Sequence, residues 1–278
     1  MKKSVVELNG FTRYLEEQGK SAKTIADYKR HVNNFAAWLT EQGGDIDTLT
    51  RHDVQQYMKY LENIGNKAAT IKVKYIAITT YARYINRSDI IENIRRPEAR
   101  QNRNIAPKSL ARNEYNRLLR EAEREGARTA AIVYTLLYTG LRVSELVALN
   151  IDDVKLGERS GSVTVRNGKG QVARTVPLPA EARHHIRQYL ATRTDDEPAL
   201  FVSNYKRRMS VRSIQRVIDK LGTHPHAIRH TYARRLVEAG TDIATVAELM
   251  GHTDINVTRR YAKPDMNDLE NAVAKVFG

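Results

Sequence analysis

Apolar residues in the first hundred positions recur at intervals of three and four. Ile25, Tyr28, Val32, Phe35 and Leu39 keep that spacing with Trp38 beside them. Val54, Tyr57, Met58 and Leu61 repeat it, as do Ile71, Tyr75, Ile78, Ala82 and Ile85. One dry and one wet face per segment marks amphipathic helices packed on a shared core. Gly19, the Gly43-Gly44 pair and Gly65 punctuate these segments, and Thr24 and Thr50 stand near helix starts. About four helices are expected. Their polar faces carry Lys20, Lys23, Lys29, Arg30, Lys67, Lys72 and Lys74.

The periodicity lapses from Arg95 to Lys108, a stretch with two prolines and many basic groups. It predicts an extended basic linker at 96–107, between a helical domain at 1–95 and a second domain at 108–278. An ordinary charged loop is the alternative. Beyond Pro107, helices are expected around 113–125, 128–139, 143–149, 180–193, 211–220, 226–239 and 242–250. Gly140, Gly222, Gly240 and Gly251 sit where C-terminal caps belong, and Ser210 and Thr241 where N-caps belong. Between 151 and 178 the period changes to two, with Asn167-Gly168-Lys169-Gly170 separating two alternating runs. Asn-Gly in that setting signals a hairpin. The fold class expected is mainly α with a small antiparallel β-sheet.

A length of 278 residues allows one or two domains. The formal net charge of +14 points to a polyanionic partner, because each neutralised phosphate releases counterions. Without cysteine there are no disulfides, thiolate nucleophiles or cysteine zinc sites. The N-terminal residues lack the long apolar run of a signal peptide. The longest apolar stretch, Ala130 to Leu141, is too short to span a bilayer and reads as a buried core helix. A soluble cytoplasmic protein is expected.

Candidate chemistry concentrates in the second half. Arg142 and Glu145 stand three apart in Thr139-Gly-Leu-Arg-Val-Ser-Glu-Leu, so a carboxylate can orient the guanidinium. Alone, such a pair is usually a solvated helix contact; here Leu141, Val143, Leu146 and Leu149 surround it with core-type residues. His226 and Arg229 open a helix that Pro225 helps initiate, an arrangement suited to anions. His226 and His230 have metal-ligand spacing, but no Glu follows the first His and no carboxylate partner is evident. His230 reads instead as a packing or supporting residue. Lys169 stands at the hairpin tip between glycines; it is either an exposed charge or an ammonium able to protonate a departing alkoxide. Tyr261 follows Gly251-His252 by nine residues, behind Arg259-Arg260. A phenol can serve as a covalent nucleophile, and guanidinium groups grip phosphate oxygens without a metal.

Arg142, Lys169, His226, Arg229, His252 and Tyr261, in this order, closely resemble the signature of the tyrosine recombinases, the phage-integrase and Xer group. The matching stretches are TGLRVSEL at 139–146, RNGKGQVARTVPL at 166–178, HAIRHTYARRL at 226–236 and LMGHTDINVTRRYA at 249–262. KSAKTIADYKRHVNNFAAWL at 20–39 is similar to that family's core-binding domain. The resemblance implies a helical, SAM-like core-binding domain followed by an α+β catalytic domain. It implies that Tyr261 attacks the scissile phosphate to form a 3′-phosphotyrosyl link, with Arg142 and Arg229 stabilising the non-bridging oxygens. Such preorganised donors contribute roughly 10²–10³ in rate each. It makes Lys169 the general acid, His226 an aid to proton transfer, His252 a hydrogen-bond donor to the transition state and Glu145 the support behind Arg142. The implied cofactor set is empty, since rejoining uses the energy of the link and needs neither ATP nor metal. The implied partners are double-stranded DNA with inverted-repeat core sites and other protomers in a tetramer that passes through a Holliday junction. Ala111 departs from the threonine often found at the start of the catalytic domain. After the tyrosine, Met266, Leu269, Val273, Val276 and Phe277 form an apolar stripe. In the family such a tail helix docks on a neighbouring protomer; docking on its own domain is the alternative. A type IB topoisomerase and a DNA-binding regulator without catalysis are the competing functions. Integration, excision and resolution are not distinguished.

Overall fold

The computed structural model describes residues 8–94, 109–166, 174–252, 254–261, 273–274 and 276–277. The chain divides into two compact units, Met1–Asn102 and Arg103–Gly278. The first holds four α-helices among its described residues, α1 (Asn9–Glu17), α2 (Ala22–Glu41), α3 (Arg51–Asn63) and α4 (Ala68–Tyr84). Ser21, rather than Thr24, caps α2: its Oγ accepts from the Thr24 N–H at 3.2 Å. Thr50 and Asp53 form a reciprocal capping box at the start of α3, with bonds of 3.3 and 2.9 Å. Phe11, Leu15, Val32, Phe35, Leu39, Leu61 and Ile78 fill the core, and the predicted spacing falls on the buried faces of α2, α3 and α4, while the face of α1 was not anticipated.

The second unit runs α5 (Arg112–Arg124), α6 (Ala127–Thr139), α7 (Val143–Ala148), β1 (Val154–Leu156), β2 (Gly161–Val165), β3 (Arg174–Pro177), α8 (Ala180–Ala191), α9 (Val211–Lys220), α10 (Pro225–Glu238), α11 (Ile243–Met250) and α12 (Ile255–Arg259). Helix α6 carries the longest apolar run and is its centre, packed by α5, α8 and α10. Every residue from Ala130 to Leu137 is buried, which is why this helix shows no polar face. The sheet order is β1-β2-β3, antiparallel throughout, with Val163 opposite Val176 and Val165 opposite Arg174. That pairing agrees with the expected hairpin. Its turn, with Lys169, lies outside the described residues. Strand β1 was not anticipated, since three residues are too few to show a period.

Ser210 caps α9 as expected, but Asp242 rather than Thr241 caps α11, accepting from the N–H groups of Ala244 and Thr245 at 2.9 and 3.0 Å. A carboxylate there also opposes the positive end of the helix dipole. The N-cap of α5 is Ala111, which has no side-chain oxygen; Glu114 accepts the Ala111 N–H at 2.9 Å instead. Two glycines position the site. Gly140 and Gly251 end α6 and α11 in left-handed conformation, with φ of 60° and 63°. A Cβ at Gly140 would lie 2.3 Å from Tyr232 Cδ1, and one at Gly251 would lie 2.5 Å from Arg174 Nη1. Among the described residues no helix is long and apolar enough to cross a membrane. Of the apolar tail stripe, Val273, Val276 and Phe277 are exposed, while Met266 and Leu269 lie outside the described residues.

Candidate active site

Glu145 is the hub. It is 8% exposed, and each of its oxygens takes two hydrogen bonds. Arg142 is the N-cap residue of α7 rather than a member of its face, and its backbone N–H donates to Glu145 Oε2 at 2.8 Å while Nη1 donates to Oε1 at 2.8 Å. From β3, Arg174 donates Nη1 to Oε1 at 3.1 Å and Nη2 to Oε2 at 2.9 Å, a fork on a carboxylate. Arg229 on α10 brings Nη1 to 3.9 Å from Oε2. Three guanidinium charges therefore face one carboxylate, and the cluster stays cationic.

The same arginines hold backbone carbonyls at two helix ends. Arg229 donates Nη1 to Gly140 O and Nη2 to Met250 O, the latter at 2.6 Å. Arg142 Nη2 reaches Gly251 O at 3.3 Å and Arg174 Nε reaches Leu249 O at 2.9 Å. The last carbonyls of a helix lack intrahelical partners, so α6 and α11 present acceptors that fix the cations without neutralising them. The side chains of Arg229 and Arg174 are 6% and 8% exposed, whereas that of Arg142 is 34% exposed and is the accessible arm.

Burial acts to raise the Glu145 carboxyl, but Arg174 and Arg142 hold it below the usual carboxylate range. Burial, followed by the charge of Arg142, lowers Arg229 to about 10, which leaves it protonated at neutral pH. Burial and then Arg229, Arg142 and Arg174 lower His252 to about 4. Its Nε2 lies 3.0 Å from Arg229 Nη2, and its Nδ1 lies 2.8 Å from Thr258 Oγ1. Arginine only donates, so Nε2 is the acceptor and Nδ1–H donates to the threonine hydroxyl. That hydroxyl can reverse its role, which lets His252 present Nε2–H to an anion when Arg229 turns to the same anion.

Tyr261 follows α12 by two residues and is 4% exposed, packed with Ala233, Val246 and Met250. Burial raises its hydroxyl above the ordinary value, against the pull of Arg229, Arg260 and Arg142. Tyr261 Oη lies 2.6 Å from His230 Nδ1. His226, in the first turn of α10, is exposed, its ring centroid 6.2 Å from that of His230. Of the expected set, Arg142, Glu145, Arg229 and His252 thus share one hydrogen-bonded network and Tyr261 borders it through Met250. His226 stands beside it, and Lys169 lies outside the described residues. Among the described residues no group of three or more His, Asp or Glu could hold a metal ion.

Arg174, Thr258 and the His230 contact went unread in the sequence. Arg174 had a signal, since it shares strand parity with buried Val176 and Leu178, and a charge on an inward position needs a partner. In the first unit, Lys20, Lys23, Lys67 and Lys72 are exposed, and Lys29 and Lys74 are half-buried. Arg30 pairs with Asp27 at 2.8 Å, and Lys74 donates to Asn66 Oδ1 at 3.4 Å. Burial and then Arg30 lower the Lys74 ammonium, so α2 and α4 bring these cations near one another.

Two family profiles match. Residues 108–268 match the phage integrase family, and residues 8–88 match the phage integrase N-terminal SAM-like domain. The tyrosine recombinase XerA of Thermococcus kodakarensis is 33% identical over 274 residues, covering 95% of this chain and 93% of the relative. XerC of Neisseria gonorrhoeae is 32% identical over 294 residues, with 94% of each covered. The crystal structure of a XerA recombinase superposes with a TM-score of 0.56 at 27% identity, covering 98% of both chains. XerH bound to a palindromic difH substrate gives 0.70 at 20% identity, covering 99% of this chain and 91% of that one, a likeness of fold. The chain therefore belongs to the phage integrase family, the tyrosine recombinases, and cleaves and rejoins DNA strands through tyrosine chemistry.

Proposed function

We propose that Tyr261 is the nucleophile and that Arg142, Arg229 and His252 cradle the scissile phosphate. The observation that carries this reading is the single network joining those three residues to Glu145 and Arg174 at the edge of the tyrosine. Arg142 offers the exposed donors and meets the phosphate first. Arg229 keeps its two carbonyl contacts and redirects only the N–H now given to His252, so little reorganisation accompanies charge development. His252 donates from Nε2 once Thr258 reverses. Lys169 protonates the departing 5′ oxygen and His226 assists proton transfer. The link formed is 3′-phosphotyrosyl, and the reaction is site-specific recombination through a Holliday junction.

Residues 1–95 form the core-binding domain, using Lys20, Lys23, Lys29, Arg30, Lys67, Lys72 and Lys74 on DNA, with 96–107 as a basic linker to the catalytic domain at 108–278. The working assembly is a tetramer on paired inverted-repeat sites, in which the exposed apolar tail of Val273, Val276 and Phe277 docks on a neighbouring protomer. A nicked half-site duplex, taken from inverted repeats beside the gene, tests the chemistry. An SDS-resistant adduct that vanishes in Tyr261→Phe is expected. No adduct from the unaltered chain would favour a non-catalytic regulator, and relaxation of plasmids lacking the repeats would favour a topoisomerase.

A further inference from the structure

Attack by a phenol requires that the phenolic proton leave. The titratable group bonded to that oxygen is His230, whose Nδ1 lies 2.6 Å from Tyr261 Oη with ring centroids 5.5 Å apart. We propose that His230 is a further catalytic residue that accepts the Tyr261 proton on cleavage and returns it on rejoining, an inference that rests on Tyr261 being the nucleophile. His230 directly follows Arg229 on α10, so one rigid helix carries both a phosphate donor and the base.

The base must be neutral before the reaction. Burial, followed by the charges of His226, Arg229, Arg260 and His224, lowers His230 to about 4, so the ring is unprotonated at neutral pH and can accept from the hydroxyl. His226 and Arg229 face it from α10 and His224 from that helix's N-cap, and Arg260 and Tyr261 face it from the segment after α12. An incoming phosphate offsets the charges of Arg229 and Arg260, and an adjacent anion favours the imidazolium. The base thus strengthens as substrate arrives. In the step itself, the O–H electrons of Tyr261 form the new bond to phosphorus, and the proton passes to Nδ1. The P–O5′ bond breaks with its pair on O5′, which takes a proton from a separate donor, Lys169 in the reading above. Rejoining reverses each transfer, so His230 ends as it began.

The test uses the full chain on the nicked half-site, with cleavage rate followed against pH for His230→Gln and His230→Ala. Glutamine retains an acceptor for the tyrosine hydroxyl but cannot take its proton, and it carries the test if the alanine variant misfolds. At neutral pH both variants are expected to bind DNA and to cleave about 10²–10⁴ more slowly. Their rates should climb about tenfold per pH unit as hydroxide replaces the base. Added imidazole should restore part of the alanine variant, and a 5′-thio leaving group should restore neither, because the defect lies at the nucleophile. His230→Gln cleaving within about threefold of the unaltered chain would overturn the proposal, as would rescue by the 5′-thio substrate. Persistence of the adduct in Tyr261→Phe would instead defeat the nucleophile assignment, an outcome separable from either.

Discussion

Replacing Arg174 with alanine removes two N–H donors from a carboxylate that is 8% exposed and a third from the carbonyl of Leu249. Losing one partner of a buried ion pair costs about 3–5 kcal/mol, because the other charge is left short of compensation. Arg142 still holds Glu145 through two bonds, which puts the expected cost near the low end, about 3 kcal/mol. In a unit of this size each kcal/mol moves Tm by about 2–4 °C, so the catalytic unit should melt about 6–12 °C lower. Activity should fall as well. Arg229 Nη1, already 3.9 Å from Glu145 Oε2, is drawn to the underpaired carboxylate and off Gly140 O. Calorimetry of the full chain, with cleavage of the nicked half-site alongside, measures both effects. Arg174→Lys keeps the charge without the fork and should fall between. The cycle with Glu145→Gln should return a coupling of about 1.5–3 kcal/mol. An alanine variant melting within about 2 °C of the unaltered chain, with a coupling below about 0.5 kcal/mol, would refute the idea that this pair holds the cradle.

Two further outcomes follow from the charges. His230 and His252 both fall from the ordinary 6.5 to about 4, so the unfolded chain binds more protons between those values. Their contribution to stability is complete above pH 6.5 and is lost as pH falls through 4. It amounts to about 3 kcal/mol per ring before solvent screening and about 1–2 after it; a Tm independent of pH over that window would contradict it. In the first unit, Lys23→Ala and Lys72→Ala should each weaken DNA binding regardless of base sequence and flatten the salt dependence by about 0.9, measured by anisotropy against KCl. An unchanged slope in both would place the DNA face elsewhere.

The helices were legible because their starts and stops are chemical. Thr50 and Ser210 sit before amphipathic runs, Gly251 follows one, and Gly140 ends the wholly apolar run of α6. The one misassigned cap, Thr241 for Asp242, arose where two adjacent oxygens could serve and only backbone direction chooses. The site was legible as a set of residue types in order, but its wiring was not. Arg174 meets Glu145 across 29 positions and His230 meets Tyr261 across 31. No local period reports contacts of that range. Arg142 illustrates the limit: spacing suggested two side chains on one helix face, whereas the helix begins one residue later and the glutamate also closes its first turn.

The anchoring of Arg229, Arg142 and Arg174 on the carbonyls of Gly140, Met250, Gly251 and Leu249 has an evolutionary corollary. A carbonyl is supplied by any amino acid, so the grip on the cations does not itself depend on which side chains stand at positions 249 and 250, although Met250 also packs on Tyr261. Among the residues that supply those oxygens, the glycines at the two left-handed bends are held by backbone conformation as well. Divergent descendants can therefore rewrite most of the surrounding text and still inherit the same machine.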